Sequence, residues 1–268
     1  MQTLSTALAA IVLYLAASLR IAMPSARHAG ASPHKRTQAI ALLFVAALAH
    51  ATVLYVTIGA AGGFDLGIFN AASLAGWVIG AAVLAIMFWR PIDSLALVIF
   101  PAVATMVGLA VWFPHSRIMP AATPIGLKLH IVLSIIAYAL FAIAAVQAIY
   151  LGVADYKLRN HKPILDFLPP LPTMEVTLFQ LTGVAFATLT VSLALGVPYV
   201  GDVQAQHLVH KIVFSLLAWG IFAWLLVGRW RFGWRGPRAI KFVIAGFVLL
   251  ALGFFGTKVV LELILQRV

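Results

Sequence analysis

The stretch most informative about the fold is residues 206–238, QHLVHKIVFSLLAWGIFAWLLVGRWRFGWRGPR. The stretch opens with His207 and His210, continues as an apolar run over 212–228, and closes with basic and aromatic residues over 229–238, here called the collar. About 20 apolar residues cross a hydrocarbon core of about 30 Å, because an α-helix rises about 1.5 Å per residue. The stretch therefore predicts one membrane-spanning helix with histidines at one end and the collar at the other.

The composition of the whole chain also indicates a membrane protein. Of its 268 residues, 63% are hydrophobic and 9% are charged, so a water-soluble fold would have too few charged side chains to cover its apolar ones. The 18 Lys and Arg against 7 Asp and Glu do not indicate a nucleic-acid partner, because basic loops between apolar spans are typical of membrane proteins. The absence of cysteine excludes disulfides and thiolate metal sites, which leaves histidine as the metal ligand to consider.

The same length criterion predicts an all-α fold, a bundle of eight transmembrane helices that forms one domain over residues 1–268. The expected spans are about 4–23, 38–58, 69–89, 94–113, 126–152, 173–197, 207–228 and 240–265. The first span carries its basic residues at or after its end rather than before it, so we expect an anchor helix and not a cleaved signal peptide.

The loops between these spans alternate in charge. One set, at 24–37, 90–93, 153–172 and 229–241, holds twelve of the 18 Lys and Arg, whereas the loops at 59–68 and 198–206 hold none. Positively charged loops stay on the cytoplasmic side of a membrane. We therefore predict that the collar faces the cytoplasm and that both termini lie on the outer, periplasmic side.

Few ionisable residues are predicted to lie inside the membrane, where each costs about 2.5–3.5 kcal/mol on insertion scales. His50 lies in the second span, His130 lies one turn into the fifth, and His210 opens the seventh. Lys258 and Glu262 are four residues apart in the eighth span, which is the spacing of a helical ion pair. In the predicted topology these groups all lie in the outer half of the bundle.

Histidines that converge from separate helices favour a haem site, because two neutral imidazoles can ligate the iron axially. We predict His130 and His210 as the iron ligands and His50 as a third cofactor-binding candidate. Aromatic neighbours available to contact the ring are Tyr138, Phe214 and Trp219.

Simpler explanations stand beside this hypothesis. An intramembrane histidine such as His50 often only hydrogen-bonds a neighbouring helix, and His207 fits a solvated position at the membrane surface. Zinc is less favoured than haem, because no carboxylate or cysteine accompanies the histidines at zinc-site spacing. The chain also lacks the common hydrolase, protease and nucleotide-binding motifs, so we expect a protein that is not an enzyme.

The second half of the chain resembles a known family. Residues 126–138, GLKLHIVLSIIAY, resemble the helix that carries the outer histidine in the integral membrane cytochrome c assembly proteins, the CcsA/CcmC/HemX group. Segments 168–196, 210–236 and 253–258 are similar to the YpjD-like inner-membrane branch of that group. The resemblance covers residues 38–265 and is specific from residue 126 onward.

The resemblance implies a multi-pass protein of the bacterial inner membrane that binds or handles haem b and is related to cytochrome c assembly and haem export factors. His130 matches the first of two histidines that flank a tryptophan-rich, haem-contacting loop in those proteins. The corresponding stretch here, GVPYVGDVQAQ at 196–206, contains no tryptophan. Two other functions stay open: a scaffold that regulates another inner-membrane protein without haem, and a secondary transporter. The expected partners are membrane lipid, haem and other inner-membrane proteins.

Overall fold

The computed structural model of this protein describes residues 2–22, 33–60, 63–90, 92–120, 122–162, 168–199, 209–256 and 259. Within these ranges eight helices are long and apolar enough to cross a membrane, which confirms the predicted all-α architecture. They are α1 (Gln2–Ala22), α2 (Pro33–Ile58), α3 (Ile68–Met87), α4 (Asp93–Trp112), α5 (Ile125–Arg159), α6 (Leu171–Gly196), α7 (Val209–Phe232) and α8 (Pro237–Ala251). A 3₁₀ turn (Val197–Tyr199) follows α6, and a π-helical turn (Leu252–Gly256) follows α8.

Helix α5 extends well past its predicted C-terminal boundary. It continues through 153–159, which the sequence analysis assigned to the following loop, and ends at Arg159. Arg159 Nε donates to Asp155 Oδ2 at 2.9 Å, one turn away, and such pairs stabilise a helix in water. With 35 residues, α5 is about 50 Å long and exceeds the hydrocarbon thickness of about 30 Å, so its charged last turns extend past the apolar span.

The chain divides into two compact units. The first comprises Met1–Ala122 and Ile164–Pro169 and contains α1–α4. The second comprises Thr123–Pro163 and Pro170–Val268 and contains α5–α8. The single domain over residues 1–268 stays a prediction.

In the first unit, α3 and α4 form the antiparallel pair that their short connection predicts. Two glycines on α3 allow the close approach. A methyl group on Gly76 would lie 2.9 Å from Met106 Sδ, and one on Gly80 would lie 3.3 Å from the ring of Phe100. Helix α1 packs on both α2 and α4, so the four helices enclose one core.

A small antiparallel sheet, which the sequence analysis did not predict, joins two loops of the first unit. It consists of β1 (Gly59–Ala60), β2 (Gly63–Asp65) and β3 (Ile118–Pro120) in the order β1-β2-β3. A methyl group on Gly63 would lie 2.0 Å from the backbone oxygen of Met119, so only glycine fits there. The loops at 59–68 and 114–120 are therefore fixed to each other by backbone pairing.

Asp65 holds the end of this sheet. Its Oδ1 accepts hydrogen bonds from the backbone N–H groups of Gly67 at 3.0 Å and Arg117 at 2.8 Å. Burial by itself raises the pKa of the Asp65 carboxyl. Hydrogen bonds to the carboxylate, led by that of Arg117, outweigh burial and hold the pKa below its usual range.

In the second unit, α5 packs along α6, and α8 packs against α5 and α7. The core centres on Phe141 of α5 and Phe222 of α7, whose stacked rings lie 3.8 Å apart. A methyl group on Gly246 of α8 would lie 2.5 Å from the Phe222 ring. Glycine at this position therefore lets α8 approach α7 closely.

The collar folds back onto its own unit. Arg229 Nη1 donates to the Trp234 carbonyl at 3.2 Å, and the Arg229 guanidinium lies 4.5 Å from the centre of the Phe179 ring. Glu175 Oε1 accepts a hydrogen bond from the Gly236 backbone N–H at 2.7 Å. This bond links the beginning of α6 to the turn between α7 and α8.

Candidate functional site

His130 lies in the second turn of α5 and contacts the last two turns of α6. Its Nδ1 is 2.7 Å from the backbone oxygen of Ser192. A carbonyl oxygen only accepts, so Nδ1 carries a proton and donates it, and in the neutral ring Nε2 is the nitrogen with the lone pair. The backbone therefore fixes both the tautomer and the orientation of the ring.

Two serines extend this contact. The Ser192 hydroxyl donates to the His130 backbone oxygen at 3.0 Å and lies 3.3 Å from His130 Nδ1. Ser134 Oγ lies 2.7 Å from Ser192 Oγ, so the Ser134 hydroxyl is the donor of that bond. Each helix thus donates to the backbone of the other around His130, which holds α5 and α6 in register at this point.

Gly196, the last residue of α6, lets the His130 ring lie against the helix end. A methyl group on Gly196 would lie 2.9 Å from both Cε1 and Nδ1 of His130. Gly126 plays a similar part for Tyr199, whose hydroxyl would lie 2.4 Å from a methyl group there. Small residues therefore create the space that His130 and Tyr199 occupy.

Two cavities of the second unit border His130. The smaller has a volume of about 230 Å³ and the larger about 380 Å³. Both are lined by His130, Leu193, Lys211 and Ser215. The larger volume falls in the range of about 300–1,000 Å³ that is usual for small-molecule sites.

Aromatic side chains form one wall of the smaller cavity. Tyr138 and Phe254 both line it. The Tyr138 ring lies 5.4 Å from that of Phe247, 5.5 Å from that of Phe254 and 5.5 Å from that of Phe255. Packed rings of this kind offer an apolar surface to a flat ligand.

The other residues predicted for the second unit lie elsewhere or outside the described ranges. His210 is exposed at the beginning of α7 and is not among the described residues that line the two cavities, whereas Lys211, next in sequence, lines both. Trp219 donates from Nε1 to Thr190 Oγ1 at 2.9 Å and stacks on Phe186. His207 and the predicted ion pair of Lys258 with Glu262 lie outside the described residues.

His50 lies in the first unit and is fully buried. Its Nε2 is 2.9 Å from Ser73 Oγ, and its Nδ1 is 3.4 Å from Tyr14 Oη. Tyr14 is itself fully buried and stacks on Phe100. His50 therefore connects α1, α2 and α3 through both ring nitrogens, which matches the simpler explanation of an interhelical hydrogen-bonding residue.

The donor set around His130 fits a haem better than a bare metal ion. Across the described part of the chain, no three His, Asp or Glu side chains cluster as a multidentate metal centre requires. A single imidazole nitrogen beside apolar and aromatic walls is what a haem iron and its macrocycle require. In chemical terms, the arrangement can ligate an iron that arrives already bound by a porphyrin.

Sequence reasoning missed Ser134, Ser192 and Gly196. Ser134 had a signal, because it lies four residues after His130 and so on the same helix face. Ser192 and Gly196 are contributed by another helix, more than 60 residues along the chain. No local pattern pairs them with His130.

This chain is similar to a known protein family and to several proteins in it. A family model described as Cytochrome C assembly protein matches residues 4–265. Inner membrane protein YpjD of Escherichia coli (strain K12) is 34% identical over 233 residues, which cover 85% of this chain and 88% of that protein. Cytochrome c biogenesis protein CcsA of Chlamydomonas reinhardtii is 24% identical over 150 residues, covering 55% of this chain and 42% of that protein. No solved structure matches the chain significantly.

Proposed function

Since this chain belongs to the cytochrome c assembly family, we propose that it binds haem through His130 and handles it without enzymatic turnover. It is a multi-pass inner-membrane protein. The observation that carries the proposal is the hydrogen bond from His130 Nδ1–H to the Ser192 carbonyl. That bond leaves Nε2 available beside two cavities.

His130 Nε2 is the atom that we assign to the iron. Metal-ligating histidines usually donate their other ring N–H to a carbonyl or carboxylate, which orients the ring and makes the free nitrogen more basic. Ser192 supplies that carbonyl, and its hydroxyl bond to the His130 backbone keeps the helices in place. A bound haem would supply an iron that accepts such a nitrogen as a ligand.

We propose haem b as the form that is bound. A chain without cysteine cannot form the thioether bonds that attach c-type haem. Retention would then depend on the iron ligand and on packing of the ring against side chains such as Tyr138, Phe254 and Leu193. These side chains are apolar or aromatic, which suits the macrocycle.

We propose that His210 would be a second ligand of the haem iron. It lies one residue before Lys211, which lines both cavities. His50 stays a prediction as a third cofactor-binding residue, because ligation by either of its nitrogens would require the bond to Ser73 or Tyr14 to break.

Absorption spectra of the detergent-purified protein test the proposal. The wild-type protein, isolated from haem-replete cells or titrated with haemin, is expected to show the Soret band and reduced-minus-oxidised spectrum of ligated haem. His130→Ala should weaken haemin binding at least about tenfold, because loss of even an outer-shell partner of a ligand costs about 10–100-fold. His210→Ala should change the spectrum of the remaining haem by opening one axial position.

His161→Asn is the matched control for these histidine variants. His161 is exposed after α5 and has a φ of 52°, a conformation that asparagine tolerates. Its spectrum should equal that of the wild type. Unchanged spectra in both His130→Ala and His210→Ala would refute the ligand assignment.

A scaffold without haem is the second candidate function. The feature that favours it is the absence of tryptophan from residues 196–206, where haem-handling relatives are expected to have a tryptophan-rich loop. A colourless wild-type preparation that also fails to take up haemin would reject haem binding and support this role.

We also propose that the collar faces the cytoplasm and that both termini face the periplasm. The charge difference between alternate loops supports this orientation. Because the chain has no cysteine, a single cysteine substitution reports on which side of the membrane the substituted residue lies. Ala122→Cys should react with a membrane-impermeant maleimide added outside intact cells, and Arg235→Cys should react only after permeabilisation; the reverse pattern would invert the topology.

A further inference from the structure

Lys211 brings a positive charge to the cavities beside His130. Both cavities are lined by Lys211 as well as by His130. Among the described lining residues it is the one Lys or Arg, and none is Asp or Glu. Any ligand that fills this space and reaches His130 therefore lies beside Lys211, the one Lys or Arg among described lining residues that are mostly apolar.

Haem is complementary to a cavity that is mostly apolar and has a positive charge on one side. Its macrocycle is apolar, its iron requires a nitrogen ligand, and one edge carries two propionate carboxylates. We propose that Lys211 binds a propionate of the haem, so that the site selects tetrapyrroles with free carboxylates. The inference rests on the proposed function and goes beyond it by assigning the group that recognises the anionic edge.

The position of Lys211 on its helix supports this assignment. Ser215 lies four residues further along α7, on the same face, and also lines both cavities. A methyl group on Gly253 would lie 3.7 Å from the Lys211 backbone oxygen and 4.0 Å from Ser215 Oγ, so the π-helical turn lies close to this face of α7. An ammonium and a hydroxyl one turn apart can both donate to one carboxylate, which only accepts.

The surroundings of Lys211 make an anionic partner favourable. Lys211 is partly buried, and a charge among apolar groups is costly unless an opposite charge or polar group compensates it. Lys211 already has an interaction within the protein. This does not exclude a propionate, because an ammonium group has three donors and can serve more than one acceptor.

The decisive experiment compares haemin with haemin dimethyl ester, in which both carboxylates are blocked but the iron is unchanged. Each is titrated into the detergent-purified full-length protein and followed at the Soret band. Wild-type protein should bind haemin about tenfold more tightly than the ester, a difference of about 1.4 kcal/mol. Lys211→Met should bind both at about the affinity that the wild type has for the ester, and Lys211→Arg should keep the preference.

Lys241→Met is the matched control, because Lys241 is exposed on α8. It should leave the preference unchanged. Equal binding of the two porphyrins by the wild type, or a preference retained in Lys211→Met, overturns the role of Lys211 while haem binding stands. Failure of the wild type to bind either porphyrin overturns the proposed function and this inference together. Because the ester comparison uses the wild type, it does not depend on the folding of a variant.

Discussion

His50 and His130 are both histidines in apolar helices, yet their surroundings differ in kind. His50 is fully buried, and Ser73 and Tyr14 occupy its two ring nitrogens. His130 is partly buried, has one nitrogen held by the Ser192 carbonyl, and lines two cavities. The first arrangement links three helices, whereas the second orients the ring through Nδ1 and leaves Nε2 without a hydrogen bond to the described residues.

Burial alone therefore does not distinguish a ligand from a histidine that only connects helices. A buried histidine whose two ring nitrogens are both hydrogen-bonded costs the folded state little free energy. Removing it is destabilising, because its partners would lose their hydrogen bonds. A histidine with one hydrogen-bonded ring nitrogen has a fixed ring orientation and a second ring nitrogen that can still bind a ligand. The number of occupied ring nitrogens and the presence of adjacent space distinguish the two roles.

The largest expected effect tests the structural side of the comparison. His50→Ala should lower the free energy of unfolding by about 2–3 kcal/mol, because it breaks two interhelical hydrogen bonds and leaves a cavity. Thermal unfolding in detergent measures the loss, with the exposed Thr52→Ala on the same helix as control. A folded His50→Ala protein that has lost its haem spectrum would break the contrast and restore His50 as a ligand.

The next effect tests the space around His130. Gly196→Ala would place a methyl group 2.9 Å from the His130 ring, so the ring must shift and haemin affinity should fall about tenfold. Gly183→Ala on the same helix meets nothing within 4 Å. It should leave affinity unchanged and stabilise α6 by about 0.5–1 kcal/mol. Equal haemin affinities in the two variants would show that the ring position does not matter.

A smaller effect tests how His130 is held. Ser192→Ala removes the hydroxyl that bonds the His130 backbone but keeps the carbonyl that accepts from Nδ1. Haemin affinity should fall about threefold, and the free energy of unfolding should fall by about 1 kcal/mol. Thr188→Ala, whose hydroxyl is exposed and bonds only its own helix at Val184, is the control. An affinity loss as large as that of His130→Ala would mean that the Ser192 hydroxyl, not its carbonyl, fixes the orientation of the His130 ring.

The smallest effect concerns the acid dependence of stability, which we assign to Asp65 in the loops of the first unit and not to the buried His50. The pKa of Asp65 is below its usual range in the folded state, so its contribution to stability is complete above the unfolded-state pKa and is lost as pH falls through the folded-state pKa. The wild type should therefore lose stability as pH falls from about 5. Asp65→Asn should be less stable at neutral pH and show a shallower acid dependence in thermal melts. An identical acid dependence in both proteins would assign it to another group.

The membrane class, the eight helices and the family could all be predicted from the sequence. These follow from local properties: the length of each apolar run, the charge of each loop and the residues around His130. Its errors were local as well. The end of α5 was placed too early, because Asp155 and Arg159 look like loop charges until they pair along a helix.

The bonding partners of each histidine depend on the tertiary structure. His130 Nδ1 bonds a carbonyl 62 residues away, and His50 bonds Tyr14 and Ser73 on two other helices. Such contacts depend on how each helix is rotated and how closely it packs, which small residues such as Gly196 permit. Hydropathy carries no information on rotation or packing distance, because any face of a uniformly apolar helix satisfies it equally well. The sequence therefore indicated which residues were costly to bury, and packing determined which histidine lines a cavity with a ring nitrogen that has no hydrogen bond to the other described residues.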